Sequence, residues 1–176
     1  RGLFLALSSH ETRRVQQRHS PLEVERPIYV TGLARSGTTI TLEMVSRHSD
    51  VATHKYYHVP NPYIPYWWER IIERLPLGED LPVERIHQDG LMVTRSSPEA
   101  LEEPLWKTFF ENLHSADASH ILDTQSSNAQ FEGFYRDHIM KLVLSQGKTR
   151  YAAKSNYSVT RMEYLLKLFP EARFLL

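Results

Sequence analysis

A short apolar run at residues 27–31 leads directly into residues 32–39, whose letters are G-L-A-R-S-G-T-T. Apolar residues followed by a glycine-containing turn and then helix-compatible residues predict a β-strand, a tight turn and an α-helix. Two glycines five positions apart, followed by hydroxyl residues, match the frame of a nucleotide phosphate loop, G-x-x-x-x-G-K-[ST]. Such a unit belongs to an α/β sheet, whose ligands bind at the carboxyl ends of parallel strands.

One position departs from this frame: Thr38 stands where the lysine belongs, and the cation has moved upstream to Arg35. Glycine permits positive φ and removes Cβ bulk, so the loop N–H groups can converge on an anion at the start of the helix. The missing lysine weakens an ordinary triphosphate role, because that lysine reaches the β- and γ-phosphates. Three interpretations stay open: a phosphate loop for another ligand, an atypical kinase or ATPase, and a turn without a ligand.

Residues 27–39 resemble the 5′-phosphosulfate-binding loop of sulfotransferases, whose usual form is an apolar strand followed by G-x-P-[RK]-S-G-T-T. Residues 154–156 (K-S-N), followed by residues 165–176, are similar to the K-[SD]-P … LL-x-x-FP-x-A-[RK]-F segment of bacterial and tyrosylprotein-type members. Two motifs in this order, far apart in the chain, are more specific than either one alone.

The resemblance implies a P-loop-type parallel sheet flanked by helices. It also implies transfer of a sulfuryl group from 3′-phosphoadenosine 5′-phosphosulfate (PAPS) to an acceptor hydroxyl or amine, with no metal required. Arg35 and Lys154 would be the cations that stabilise the transferring group and the leaving phosphate. The acceptor could be a small molecule, a carbohydrate or a peptide. The residues expected to hold the donor are Gly32, Arg35, Ser36, Gly37, Thr38, Thr39 and Ser155.

The base that takes the acceptor's proton is the point where the sequence departs from the resemblance. Tyrosylprotein-type members carry a glutamate at the position that falls on Tyr56 here, and a tyrosine with a pKa near 10 is a poor base at neutral pH. Histidine titrates in the right range. Prolines near His54 and His58 argue against a helix and against a metal site there. The candidates are His58, His54 and His87, ahead of Glu102 and Glu103.

Composition is that of an ordinary globular protein, with 176 residues, 41% hydrophobic and 24% charged. A formal net charge of zero favours neither nucleic acid nor an anionic membrane surface as a partner. The absence of cysteine excludes disulfides, thiolate chemistry and zinc–cysteine sites. No apolar stretch approaches the roughly 20 residues that span a bilayer. We therefore expect no transmembrane segment, and the cytoplasm is favoured over other compartments.

Organisation along the chain predicts a lead-in segment over residues 1–26 and the N-terminal part of a P-loop sulfotransferase domain over residues 27–176. The resemblance places the residues that hold the donor's 3′-phosphate beyond Leu176, so we expect this domain to be incomplete. Periodicity predicts strands at 28–31, 51–53, 150–154 and 173–176. Helices are predicted at 11–18, 39–48, 67–75, 98–113, 130–146 and 159–169, with a break or kink at Pro104.

Overall fold

A parallel sheet lies at the centre of the fold in the computed structural model, which describes residues 2–20, 22–85, 90–115, 117 and 119–176. Four strands form this sheet in the order β2-β5-β1-β6, and every neighbouring pair is parallel. Two further strands, β3 and β4, form a separate antiparallel hairpin. The strands are β1 (Ile28–Val30), β2 (Val51–Ala52), β3 (Val83–Glu84), β4 (Met92–Val93), β5 (Arg150–Lys154) and β6 (Arg173–Leu175).

Helices flank the sheet, which confirms the predicted α/β class. They are α1 (Gly2–Gln16), α2 (Thr38–Ser46), α3 (Pro65–Arg74), α4 (Glu102–Phe109), α5 (Ala129–Ser145) and α6 (Met162–Leu168). Short 3-10 helices occupy Tyr56–His58 and Asn156–Arg161. Within the described ranges, none of these helices combines the length and the apolar character that a bilayer crossing requires.

Successive side chains of the central strands point to opposite faces of the sheet, and different helices cover each face. Tyr29, Tyr151 and Ala153 pack into a large aromatic core with α4, α5 and α6. Their strand neighbours Val30 and Ala152 point to the opposite face and pack against α2. Successive side chains of a strand face opposite ways, so two covered faces require apolar residues at consecutive positions. The sheet is therefore buried on both sides, and its ligand-accessible edge is at the strand ends.

The predicted helix over residues 98–113 is wrong at both ends. Helix α4 begins at Glu102, and the Ser97 hydroxyl accepts a hydrogen bond from the Thr94 backbone N–H instead of capping a helix. Pro98 pairs with Lys55 in an isolated antiparallel bridge. The predicted break at Pro104 is also wrong, because this proline lies in the first turn of α4. The N–H groups of a first turn have no partner inside the helix, so proline is tolerated there.

Helix α1 begins nine residues earlier than the sequence pattern predicts. Its buried stripe consists of Ser8, Glu11, Thr12 and Val15, which have helical spacing. Three of these four side chains are polar, so a search for apolar periodicity does not find the stripe. The helix predicted at 159–169 is, by contrast, shorter in the structure, because its first turns adopt the 3-10 form before α6 begins.

A buried ion pair attaches α1 to α5. The Lys141 Nζ atom lies 2.9 Å from Glu11 Oε2, and both side chains are fully buried. Lys141 also donates to the carbonyl and the hydroxyl of Ser8, and Glu11 Oε1 accepts from the Trp67 N–H of α3 at 2.6 Å. Burial raises the pKa of Glu11 and lowers that of Lys141, although each partner opposes this effect. The two charges are compensated by each other, by these polar contacts and, for Lys141, by the nearby Asp137 carboxylate.

Candidate functional site

The loop between β1 and α2 has the backbone geometry of an anion cradle. Gly32, Arg35 and Gly37 all have positive φ, at 149°, 69° and 84°. A side chain at Gly32 would place its Cβ 2.9 Å from Ser36 Oγ, so the serine side chain would have to move, and the φ of 149° is one that residues with a Cβ rarely adopt. Alternating backbone conformations of this kind turn successive N–H groups toward one point. Arg35 holds a left-handed conformation that costs a non-glycine residue about 1–2 kcal/mol, and strain of this kind clusters at functional sites.

Strand pairing brings the second sequence motif to this loop. Residue Lys154 ends β5 directly opposite Val30, the last residue of β1, and the Ser155 N–H donates to the Val30 carbonyl. From this position the Lys154 Nζ donates to Thr39 Oγ1 at 3.0 Å. Partial burial lowers the pKa of Lys154, the Arg85 charge lowers it further, and the Glu99 carboxylate raises it. The two motifs thus form one site at the carboxyl edge of the sheet.

A third cation, Arg85, reaches the same hydroxyl from outside both motifs. Its Nη1 donates to Thr39 Oγ1 at 3.2 Å. Its backbone N–H donates to the Leu91 carbonyl, which ties it to the β3–β4 hairpin. Sequence reasoning missed Arg85, because β3 and β4 have only two residues each and the motifs give no signal in this region.

These groups surround a cavity of about 390 Å³ at the start of α2. Three cationic side chains and the positive end of a helix face it, so the arrangement suits an anion such as a phosphate or a sulfate ester. Gly32, Ser36 and Ser155, which the sequence assigned to donor binding, are not part of its wall. The cavity is lined by Ala34, Arg35, Gly37, Thr38, Thr39, Ile40, Arg85, Leu91, Lys154 and Asn156.

Ser155 has a structural role. Its hydroxyl accepts from the Tyr157 N–H and donates to Glu103 Oε2, and the residue is buried. Glu103 in turn binds the buried Arg161 with both carboxylate oxygens. Burial acts to raise the pKa of Glu103, but the hydrogen bonds and charge of Arg161 hold it below the ordinary value. The structure does not bring the Ser155 side chain into the cavity.

The two candidate histidines of residues 54–58 lie in the interior. His54 and His58 are 2% and 0% exposed, and neither lines the cavity. The His54 Nε2 atom lies 2.9 Å from Nε2 of His138, and the His58 Nε2 lies 2.9 Å from Glu69 Oε2. Side chains buried in this way do not reach an acceptor in the cavity, which argues against both as the base.

Two further base candidates are His87 and Glu102. His87 lies outside the described residues. Glu102 is fully buried and accepts hydrogen bonds from the side chains of Trp106, Tyr135 and Tyr151, while burial raises its pKa. It therefore belongs to the aromatic core. Among the described residues, no group of three or more histidine, aspartate and glutamate side chains has the arrangement of a metal site.

The buried imidazoles predict an acid-sensitive fold. Burial, reinforced by the neighbouring histidines, holds the pKa values of His54 and His138 well below 6.5. In the unfolded chain histidine has a pKa of about 6.5, so below that pH the unfolded state binds more protons than the folded state. The free energy of unfolding is therefore expected to decrease as the pH is lowered below about 6.5. The decrease is at most about 1.4 kcal/mol per pH unit for each histidine.

Urea unfolding at about pH 7.5 and about pH 5.5 measures this loss. His138→Gln removes one of the two titrating rings, and we expect it to reduce the loss by about half. Its amide can still form a hydrogen bond with His54. His48→Gln, at an exposed position, is the matched control and should keep the wild-type loss. An unchanged pH dependence in the His138 variant would show that the buried ring does not titrate on unfolding.

Together, the parallel sheet and the cationic cavity at the start of α2 define an α/β protein with a phosphate-loop-type turn. A family model described as "Sulfotransferase family" matches residues 27–176, and the chain therefore belongs to the sulfotransferase family. Helix α1 precedes the matched region.

Among solved structures, the chain is similar to the sulfotransferase STF1 from Mycobacterium tuberculosis H37Rv, with a TM-score of 0.54 and 13% sequence identity. The alignment covers 97% of this chain and 51% of that one, so the chain spans about half the length of the mycobacterial protein. At this identity the likeness shows the fold alone. A comparison with curated protein sequences gave no match.

Proposed function

We propose that the protein uses PAPS as a sulfuryl donor and transfers the group to an acceptor hydroxyl or amine. The observation that carries this proposal is the convergence of Lys154 and Arg85 on Thr39 Oγ1, beside Arg35, in one cavity. Three cations around a glycine-containing cradle suit the doubly anionic phosphosulfate end of the donor. The family supports sulfuryl transfer in general.

The position of Thr38 favours this donor over a nucleoside triphosphate. Its side chain is 7% exposed, and a Cβ at Gly32 would lie 3.5 Å from its methyl group. A threonine packed in this way cannot supply the charge that a lysine delivers to β- and γ-phosphates. The charge instead comes from Arg35 and Lys154, on either side of the cavity. An atypical kinase remains the alternative, and the ligand test below distinguishes the two.

In the proposed reaction, an acceptor oxygen or nitrogen forms a bond to sulfur. The bond between sulfur and the 5′-phosphate oxygen breaks, and its electron pair stays with the phosphate. Arg35 and Lys154 stabilise the negative charge that develops on that oxygen and on the sulfuryl group. The acceptor's proton passes to a base, for which we favour Glu99; like His54 and His58 it is not part of the cavity wall, but it acts on Lys154, which is. Its carboxylate is half-buried and close enough to Lys154 to raise the pKa of that residue.

Ligand preference tests the proposal. The full-length protein is expected to bind 3′-phosphoadenosine 5′-phosphate, the desulfated donor, at least about tenfold more tightly than ATP, a difference of about 1.4 kcal/mol. Calorimetric titration with and without magnesium measures both affinities, and transfer of labelled sulfate to a panel of hydroxyl and amine acceptors measures the activity. Preferential, magnesium-dependent binding of ATP would contradict the proposal and favour the kinase alternative.

A further inference from the structure

The hydroxyl of Thr39 is held by two cations at once. Lys154 Nζ donates to its oxygen at 3.0 Å and Arg85 Nη1 donates to the same oxygen at 3.2 Å. A threonine hydroxyl offers two acceptor lone pairs and one O–H donor. With both lone pairs engaged by cationic donors, the hydrogen of Thr39 is directed away from them, toward a further acceptor. Thr39 lines the cavity, so an anion there can be that acceptor.

We propose that Arg85 is a positioning residue of the sulfuryl-transfer site, which acts by fixing the Thr39 hydroxyl and the Lys154 ammonium toward the reacting group. The inference rests on the proposed function. It assigns the β3–β4 hairpin a part in the reaction that neither sequence motif contains. Arg85 is half-buried where the chain leaves β3.

The position of Arg85 depends on the hairpin. Its N–H donates to the carbonyl of Leu91 at 3.1 Å, just before β4, and Leu91 is itself part of the cavity wall. The hairpin therefore contributes a cation and an apolar side chain to the same side of the site. Hydrogen bonds from a charged donor are stronger than neutral ones, so Arg85 restricts the rotation of the Thr39 hydroxyl more than a neutral side chain can.

Electrostatics gives Arg85 an effect on Lys154 as well. The charged groups that act on Lys154 are Arg85, which lowers its pKa, and Glu99, which raises it, while partial burial has the largest effect and lowers it. Lys154 stabilises the transferring group only in its protonated form. Activity is therefore expected to fall as the pH rises through the Lys154 pKa. Loss of the Arg85 charge should move this alkaline limb to higher pH.

A purely structural role is the competing explanation, in which Arg85 only holds the hairpin in place. Arg95, two residues after β4, provides the matched control. It donates to the Asp80 carboxylate and to the Gly78 carbonyl, and so anchors the same region without reaching the cavity. If Arg85 were only an anchor, the Arg85→Gln and Arg95→Gln variants would behave alike.

The test compares Arg85→Gln, Arg85→Lys and Arg95→Gln in the full-length protein, by kcat and KM for PAPS across pH and by thermal unfolding. We expect Arg85→Gln to lower kcat by about 10²-fold, with a smaller change in KM, and to move the alkaline limb to higher pH. Arg85→Lys restores the charge, so its alkaline limb should return to the wild-type position and part of kcat should recover. Arg95→Gln should lower the melting temperature but keep the wild-type kcat and pH profile.

Wild-type kcat and an unmoved alkaline limb in Arg85→Gln would overturn the inference. Equal losses in Arg85→Gln and Arg95→Gln, with parallel falls in melting temperature, would also overturn it. These outcomes leave the proposed function intact, because the wild-type protein still transfers a sulfuryl group. A wild-type protein that binds no desulfated donor and transfers no sulfuryl group contradicts the proposed function itself, and the role of Arg85 then fails with it.

Discussion

Replacing Arg35 by alanine is expected to lower the rate of sulfuryl transfer by about 10²–10³-fold, the usual effect of removing one group that stabilises transition-state charge. Arg35 lines the cavity from the loop, while Lys154 approaches it from β5. The fold should be unaffected, since Arg35 is exposed and alanine meets the same left-handed φ as arginine. Steady-state kinetics with labelled PAPS, together with urea unfolding, measures both quantities.

Two further variants make this result specific. Arg35→Lys keeps a charge but loses the planar fork of donors, so an intermediate rate is expected. Arg47→Ala removes an exposed arginine from the end of α2, where it pairs with Glu43, and should leave turnover unchanged. Wild-type turnover in Arg35→Ala would refute the assigned role. A large fall in the free energy of unfolding would show that Arg35 serves the fold.

The Lys141→Met variant is expected to lose about 3–5 kcal/mol of the free energy of unfolding, because it leaves the Glu11 carboxylate buried without its partner. The pair lies between α1 and α5, and both side chains are fully buried. Methionine replaces the stem of the lysine but makes none of its hydrogen bonds to Ser8. Equilibrium urea unfolding near neutral pH measures the loss.

The double variant Glu11→Gln/Lys141→Met separates unpaired charge from lost packing. Glutamine keeps an acceptor for the Trp67 N–H and carries no charge, so the double variant should regain a large part of the stability lost in the single one. Arg47→Met, which breaks an exposed pair, should change the free energy of unfolding by less than about 1 kcal/mol. A Lys141→Met variant within 1 kcal/mol of the wild type would mean that Glu11 is not left as a buried charge.

The loop and Lys154 could be predicted because short-range sequence encodes them. Positive φ at Gly32 and Gly37 favours glycine, and the apolar run before the loop specifies a strand. Lys154 was found through a second motif, and the β5 boundaries agree with the structure residue for residue. Arg85 was missed because its place depends on a hairpin of two-residue strands, whose pairing leaves almost no periodic signal.

The burial of the candidate histidines could not be predicted from the sequence. A proline-rich stretch such as residues 54–66 reads as an exposed loop, and an exposed histidine is a reasonable base. In the fold, His54 instead stacks against His138 of α5, a residue 84 positions away. Burial of this kind is decided by long-range packing, which local composition does not report. The polar stripe of α1 was hidden for the same reason, since Lys141 supplies the partner that makes Glu11 an interior residue.

The contact between Lys154 and Thr39 joins residues 115 positions apart, so the parts of the site are synthesised at different times. The ribosome releases the loop first and Arg85 next, and Lys154 follows the loop only after more than a hundred further residues. At about 5–20 residues per second this delay is on the order of ten seconds. During that time the nascent chain carries the glycine turn, and later the β3–β4 hairpin, without the strand that ends at Lys154. The three-cation cavity is therefore a late feature of the chain, which is complete only when β5 pairs with β1.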